Sequence, residues 1–487
     1  MKFLLNKYLI LQLLFSLTNA EVFEGYVLFA PSSTNEDSVS TLLMDNEYNI
    51  IHSWTHFLFP ASMPYLLSDS TLVYPYKVPN PTMTAGGVGG GVRKLSWDGI
   101  LLWDYVFSDE NYQHHHDVEP LPNGNVLVLV WDKRTAEEAY ALGRETIQSS
   151  LNEMWSASVL ELNPVTGYID WEWHLWDHLM QDVNPDLLNF GAISEHPELF
   201  NINCGVAGTN AGGPQQENAD WIHLNSVHYN ASLDQIVLSS RLQNEIYIID
   251  HSTTTEEAAG HSGGNSGKGG DILYRWGNPQ NYNRGDESDK ILSSQHSANW
   301  ISESFPGENN LILFNNFHAT GASAVIEFTP PIDVNGHYII EDNQPFGPVS
   351  WEWIYNCDIA VPMQGGAFRL ENGNTLITQT HIATILEVDQ NGALVWEYSH
   401  SAEGLGNVQE NNYWIARSQK YGLNYLDSII LGDINSDGMI NVLDVVTLIN
   451  LILSNEGYNA QADVNFDGVI NILDVVIMVN VILNGLP

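Results

Sequence analysis

The 487-residue sequence predicts an all-β chain, a six-bladed β-propeller over residues 21–425, followed by a small α-helical calcium-binding domain over 431–487. Three observations predict it. A hairpin pattern carrying Trp recurs along the chain, a second hairpin signal falls between the copies, and an acidic loop is duplicated near the C-terminal end.

Residues 1–20 read as a secretory signal. Lys2 and Lys7 flank the start of a short apolar run, Tyr8 to Leu17, and Thr18-Asn19-Ala20 supplies small residues for cleavage. A membrane anchor needs about 20 apolar residues, and no such stretch follows. The expectation is an exported chain, periplasmic or extracellular, with no membrane span.

The repeated hairpin is a β-rich run, an Asp/Asn/Gly turn and a second β-rich run with Trp. Its copies are Leu42–Trp54, Leu95–Trp103, Val159–Trp171, Ile246–Trp276 (split by an insertion), Val325–Trp351 and Thr384–Trp396. The second hairpin signal is clearest at Leu121-Pro122-Asn123-Gly124-Asn125 and Leu370-Glu371-Asn372-Gly373-Asn374. Two hairpins per unit make four strands, and four-stranded sheets repeated radially close into a propeller. Thr135–Met154 is the one good amphipathic helix candidate, expected as an insertion between blades. The Gly/Ser-rich segment Ala258–Gly270 is expected to be a mobile loop. Gly86–Gly91 lacks the Gly-Lys-Ser/Thr ending of a phosphate loop and opens no helix, so it reads as a flexible or tight-packing turn, and no nucleotide cofactor is expected.

Sixteen Lys+Arg against 59 Asp+Glu give a net charge of −43. That argues against nucleic-acid partners and anionic membranes. With only Cys204 and Cys357, one disulfide or two independent buried thiols both fit, and a Cys-rich metal site does not.

The C-terminal loops are Asp433, Asn435, Asp437, Met439, Asn441, Asp444 and Asp463, Asn465, Asp467, Val469, Asn471, Asp474, with Gly438 and Gly468 at the sharp turn. Oxygen ligands at positions 1, 3, 5, 9 and 12, with the backbone carbonyl of position 7, describe an EF-hand-type calcium loop. Two calcium ions are expected. An apolar helix follows each loop, Val442 to Leu453 and Ile472 to Leu483. This tail resembles a type I dockerin domain, which implies calcium-dependent folding and docking onto a cohesin-like protein partner. A calcium-stabilised cap or attachment module without a cohesin is the other reading.

Histidines recur at one place in their units. His114-His115-His116-Asp117, His223-Leu224-Asn225-Ser226 and Gln295-His296-Ser297-Ala298 each stand just before the strand that leads to the second hairpin turn. Equivalent positions on innermost strands converge on the axial channel of a propeller, and Arg241, ending the run Ile236–Ser240, brings a fixed cation. Imidazoles suit zinc or copper, but a guanidinium is a poor neighbour for a dication. Arg, Asn and His together suit a tetrahedral oxyanion: a planar fork, a neutral donor, and a nucleophile or proton shuttle.

At these residues the sequence resembles the bacterial arylsulfate sulfotransferases, exported six-bladed propellers that move a sulfuryl group between phenols without a nucleotide donor. His223-x-Asn225-Ser226 with Ser239-Ser240-Arg241, and Gln295–Ile301, are the matching segments. The resemblance implies His296 as the sulfated nucleophile, surrounded by His223, Asn225, Arg241 and either His115 or His116. It implies a phenolic sulfate donor, a phenolic acceptor and ping-pong kinetics, with activity rising through a His296 pKa nominally about 6.5. A sulfatase-like hydrolase, a non-catalytic ligand-binding propeller and a metalloenzyme are the competing readings.

Overall fold

The computed structural model describes residues 21–33, 36–208, 217–318, 321–401, 413–426, 432–435, 440–454, 461–465 and 469–484. The expected signal segment, 1–20, lies outside the described residues.

Six four-stranded antiparallel sheets form a six-bladed propeller. From the axis outward, blade 1 is Gln419–Gly422, Gly25–Phe29, Val39–Met44 and Ile50–His56. Blade 2 is Tyr65–Leu66, Leu72–Lys77, Gly90–Leu95 and Leu101–Val106; blade 3 is Tyr112–Pro120, Val126–Thr135, Glu153–Leu162 and Ile169–His174. Blade 4 is Leu224–Asn230, Gln235–Ser240, Glu245–Asp250 and Tyr274–Trp276. Blade 5 is His296–Trp300, Leu311–Asn315, Ala324–Phe328 and Trp353–Asn356, and blade 6 is Gly366–Arg369, Thr375–Gln379, Thr384–Val388 and Leu394–Ser399. Blade 1 draws its innermost strand from the far end of the propeller sequence, pairing Gly25 with Gly422, so first and last strands fasten the ring.

The six Trp-bearing hairpins are the outer strand pairs, and the structure supplies the reason for the Trp. Its indole N–H donates to the neighbouring blade's outer turn: Trp54 to Ser96 O at 3.0 Å, Trp276 to Pro348 O at 2.8 Å and Trp353 to Gln390 O at 2.8 Å. Trp171 donates to Thr253 Oγ1 at 3.1 Å, and Trp396 closes the circle on Asn46 O at 2.9 Å. In blade 2 the Tyr105 hydroxyl does this, donating to Pro164 O at 3.0 Å. A large apolar ring with one donor is suited to a seam that is dry except for a single acceptor.

Three expectations change. The strands of blade 3 run to Thr135 and restart at Glu153, which pair directly, so only Ala136–Ala141 is helical and the insertion lies within a blade rather than between two. The β-branched and aromatic residues at both ends prefer the ladder to the amphipathic helix. The outer strand of blade 5 starts at Trp353, two residues beyond Trp351. Ala258–Gly270 is a hydrogen-bonded loop rather than a loose one, with Gly269 N–H donating to Gly263 O and Gly270 N–H to Gly260 O. Cys204 and Cys357 are free thiols, each pushed up to about 12 by burial.

At the C-terminal end the helices Val442–Ser454 and Ile472–Asn484 pack through Val445, Leu448, Val475 and Met478. Val446 and Val476 face outward. No helix among the described residues is long and apolar enough to cross a membrane.

Candidate functional site

The innermost strands of blades 3, 4 and 5 lie side by side around the axis. Each breaks its ladder with a bulge at the histidine segment, between Val128 and Val130, Leu224 and Ser226, and His296 and Asn299. At these bulges His116 and His223 (both φ 53°) and Ser297 (φ 57°) occupy the left-handed region, as does Gln364 (φ 52°) at the entry to blade 6. For residues with a Cβ this costs about 1 kcal/mol or more each, and it re-aims a side chain that a regular strand would turn away.

The result is a cavity of about 680 Å³ lined by His116, His223, His296 and Arg241, with Lys77 as a second cation. Phe317, Pro362, Met363, Tyr413 and Trp414 form its apolar side, and no carboxylate lines it among the described residues. In a chain of net charge −43 that is a selective exclusion.

His296 is fixed as one tautomer. Its Nδ1 lies 2.7 Å from Asn316 Oδ1 and 3.0 Å from Ser294 O, both acceptors, so Nδ1 carries the proton. Asn316 cannot turn its amide, because its Nδ2 donates to Val361 O and Gln364 O, each at 2.8 Å. Nε2 keeps its lone pair and accepts from the Gln364 N–H at 3.2 Å. Burial, with Arg241 adding to it, drives the His296 pKa down to about 3 against the opposing pull of Asn316. The ring is therefore neutral far below the 6.5 expected from sequence.

His223 has its Nδ1 on the Asp220 carboxylate, which also accepts from the Trp131 indole at 3.1 Å. His116 stands edge-on to His223 with ring centres 4.6 Å apart. Behind it His115, absent from the cavity wall, stacks on Trp131 at 4.3 Å and shares a hydrogen bond with His116, Nδ1 to Nδ1, at 2.9 Å. Burial holds both well below the ordinary imidazole range. Of the two, His116 faces the cavity.

Asn225 lies in a recess beside it with His116 and His296. Its amide donates to Gln295 O at 2.7 Å, tying the inner strand of blade 4 to the residue before His296, and Asn299 repeats the device on Ala367 O at 3.0 Å. Under the same recess the Arg417 guanidinium pairs with Asp117 and donates to Ser62 Oγ at 2.8 Å.

The Gly86–Gly91 run packs against the histidines of blade 3. Gly87 O accepts from the His116 N–H at 2.7 Å, and Gly90 N–H donates to His114 Nδ1 at 2.9 Å. A Cβ on Gly87 (φ +75°) would stand 1.9 Å from the His116 ring.

Asp220, Asn316, Gln364 and Arg417 were not foreseen. Asp220 had a readable signal, a carboxylate three residues before His223; the others come from turns with no pattern of their own.

In the C-terminal loops, Asp433, Asp444, Asp463 and Asp474 are buried. Asp444 accepts from the backbone N–H of Asn435 and Asn441, and Asp474 from those of Val464 and Asn471. Two buried carboxylates per loop, with Asn435, Asn441, Asn465, Asn471 and Val469 O close in sequence, make an all-oxygen donor set that fits calcium. Asp437, Met439 and Asp467 lie outside the described residues.

Among solved structures the chain is similar to a protein of unknown function from Bacteroides caccae, at 11% identity over 82% of this chain and 98% of that one, TM-score 0.42. It is also similar to virginiamycin B lyase from Staphylococcus aureus, at 10% identity over 79% and 89%, TM-score 0.34. No curated protein matches it. The family model described as Arylsulfotransferase (ASST) matches residues 80–327, a little over half of the chain and the stretch that holds all three inner-strand histidine segments, and the Dockerin type I domain model matches 431–483. The chain thus belongs to the arylsulfotransferase family and ends in a type I dockerin domain.

Proposed function

We propose that the protein transfers a sulfuryl group from a phenolic sulfate ester to a phenol through a sulfohistidine at His296, without a nucleotide donor. The observation that carries the reading is the cavity whose wall brings the imidazoles of His116, His223 and His296 to the Arg241 guanidinium, with the Asp220 carboxylate behind His223 and outside that wall. His296 Nε2, kept unprotonated by the Asn316 and Ser294 acceptors on Nδ1, gives up its hydrogen bond from the Gln364 N–H and attacks sulfur; the S–O bond to the aryl group breaks and the phenoxide leaves with that electron pair. Arg241 and Lys77 hold the sulfuryl oxygens as charge shifts toward the leaving oxygen. His223, backed by Asp220 as an imidazolium is backed in a His–carboxylate pair, gives the leaving oxygen its proton. In the second half-reaction His223 removes the proton of the acceptor phenol, whose oxygen attacks sulfur and frees His296. Phe317 and Trp414 offer faces for the aryl ring. Asn225 and His115 act as positioning residues, since one is tied to Gln295 and the other is stacked behind His116.

For the tail we propose two calcium ions, a cohesin-like partner and export of the chain, in keeping with the extracellular occurrence of dockerin modules. The fold supports a 21–425 propeller unit and a 431–487 docking unit.

Incubation with p-nitrophenyl sulfate, with and without phenol, tests the reading. The expected result is nitrophenolate release that phenol accelerates, formation of phenyl sulfate rather than free sulfate, and a protein adduct of one SO₃ in its absence. His296→Asn is expected to abolish all three; unchanged turnover in that variant refutes the assignment.

A further inference from the structure

Outside the axial cavity, His178, His261 and Asp271 bring their side chains together so that one ligand atom of each lies within 4.8 Å of the others. His178 ends the short helical turn Leu175–His178 that follows the outermost strand of blade 3. His261 and Asp271 belong to the glycine-rich insertion between the outer strands of blade 4. The cluster thus joins neighbouring blades at the outer rim.

Asp271 Oδ1 receives His178 Nδ1 at 2.8 Å and His261 Nδ1 at 2.7 Å. His178 is fully buried, and its Nε2 lies 2.9 Å from Ala258 O. A carbonyl only accepts, so Nε2 carries a proton, and in the neutral ring the Nδ1 lone pair then faces a carboxylate oxygen. Two lone pairs at that distance repel unless a cation stands between them. A second proton on the ring is one such cation; a metal ion is the other. Donation of the remote ring N–H to a backbone carbonyl is the usual support of a metal-bound histidine.

The loop is shaped to reach this point. Gly270 approaches His178 so closely that a Cβ there would stand 1.9 Å from Ala258 O and 2.7 Å from His178 Nε2. Its carbonyl accepts from the Trp173 indole at 2.7 Å, and the Trp173 ring lies parallel to His178. His261 is exposed, which leaves a solvent-facing position beside two nitrogens and one oxygen.

We propose that His178 Nδ1, His261 Nδ1 and Asp271 Oδ1 bind a divalent transition-metal ion of the zinc class, completed by water, which clasps the glycine-rich loop of blade 4 to blade 3. Tetrahedral zinc with bonds of about 2.0–2.1 Å separates its ligands by about 3.3 Å, so each contact opens by roughly half an ångström to admit the ion. Two imidazoles and one carboxylate are a zinc-type donor set, unlike the all-oxygen loops of the dockerin domain.

The test uses the full chain, stripped with chelator and returned to excess calcium. Zn²⁺ uptake is measured by titration calorimetry, and Co²⁺ is used as a spectroscopic probe. The expected result is one tight Zn²⁺ per chain and tetrahedral Co²⁺ absorption, both weakened about tenfold or more in His261→Ala and Asp271→Asn and both kept in His296→Asn. His261→Ala removes an exposed side chain, and circular dichroism checks its fold. Equal uptake by wild type and His261→Ala, loss of the tight site in His296→Asn, or no uptake at micromolar Zn²⁺ overturns the proposal; the last result leaves a buried imidazolium–carboxylate pair. Sulfuryl transfer plays no part in the readout.

Discussion

Lowering the pH from 8 to 5 separates a buried nucleophilic histidine from an ordinary one. An imidazole of pKa about 6.5 is only about 3% neutral at pH 5, so attack by it slows about 30-fold over that range. His296 is held at about 3, because burial disfavours its cation and Arg241 repels it. About 99% of it is then still neutral at pH 5. The assay is the pre-steady-state burst of nitrophenolate from p-nitrophenyl sulfate, whose leaving group needs no proton, so that His223 does not enter the profile. The expected burst rate changes less than about twofold from pH 8 to pH 5. Stability moves in the same window. Above 6.5 the ring is neutral in both states; between 6.5 and 3 only the unfolded chain takes the proton, so stability falls with acid by about 1.4 kcal/mol per pH unit for this group. His56 and His114, also near 3, and His228, near 4, add to the loss. Circular dichroism at each pH therefore accompanies the burst. A burst that falls 30-fold with an inflection near 6.5 while the fold is intact refutes the desolvated-nucleophile argument.

Two substitutions probe the support of the site. Gly87→Ala places a methyl on the His116 ring at a left-handed backbone position, and is expected to cost about 1–3 kcal/mol in thermal unfolding while lowering sulfuryl transfer at least tenfold. Asp220→Asn removes the carboxylate behind His223, and is expected to lower kcat about 10²-fold or more with phenyl sulfate but only a fewfold with p-nitrophenyl sulfate; equal losses with both donors remove His223 from the proton transfer.

The outer hairpins were legible because Trp, turn residues and alternation act locally, and in five of the six blades a Trp of the outer strand serves the same seam, Tyr105 taking its place in blade 2. The innermost strands were not. Tyr65–Leu66 has two residues and Gln419–Gly422 four, and their places are set by neighbouring blades rather than by their own pattern. The same contrast holds at the site. His223 and His296 were visible by their matching positions, and Arg241 by its place at the end of the run Ile236–Ser240. The choice between His115 and His116 was not, since a left-handed residue reverses the in-out alternation on which such a choice rests. Asn316 and Gln364 hold the His296 tautomer from turns that meet only in three dimensions. Ala258–Gly270 misled because glycine signals freedom in sequence, whereas here left-handed glycines allow a tight hydrogen-bonded turn.

The charge of the chain and the charge of the proposed donor raise a conflict that the cavity resolves. A sulfate monoester is an anion, and the chain carries −43. At physiological ionic strength the Debye length is about 8 Å, so carboxylates spread over the outer surface are largely screened from a ligand at the axis. Lys77 and Arg241 line the cavity itself, where solvent is partly excluded and screening is weak. The near field is therefore positive although the far field is negative. The same exclusion that strengthens those two cations keeps His116 and His296 neutral, because a charged imidazole would lose hydration and face Arg241 or Arg417. Anion attraction and an unprotonated nucleophilic nitrogen thus follow from one cause, the desolvated pocket. The left-handed bulges are what place the imidazoles inside it.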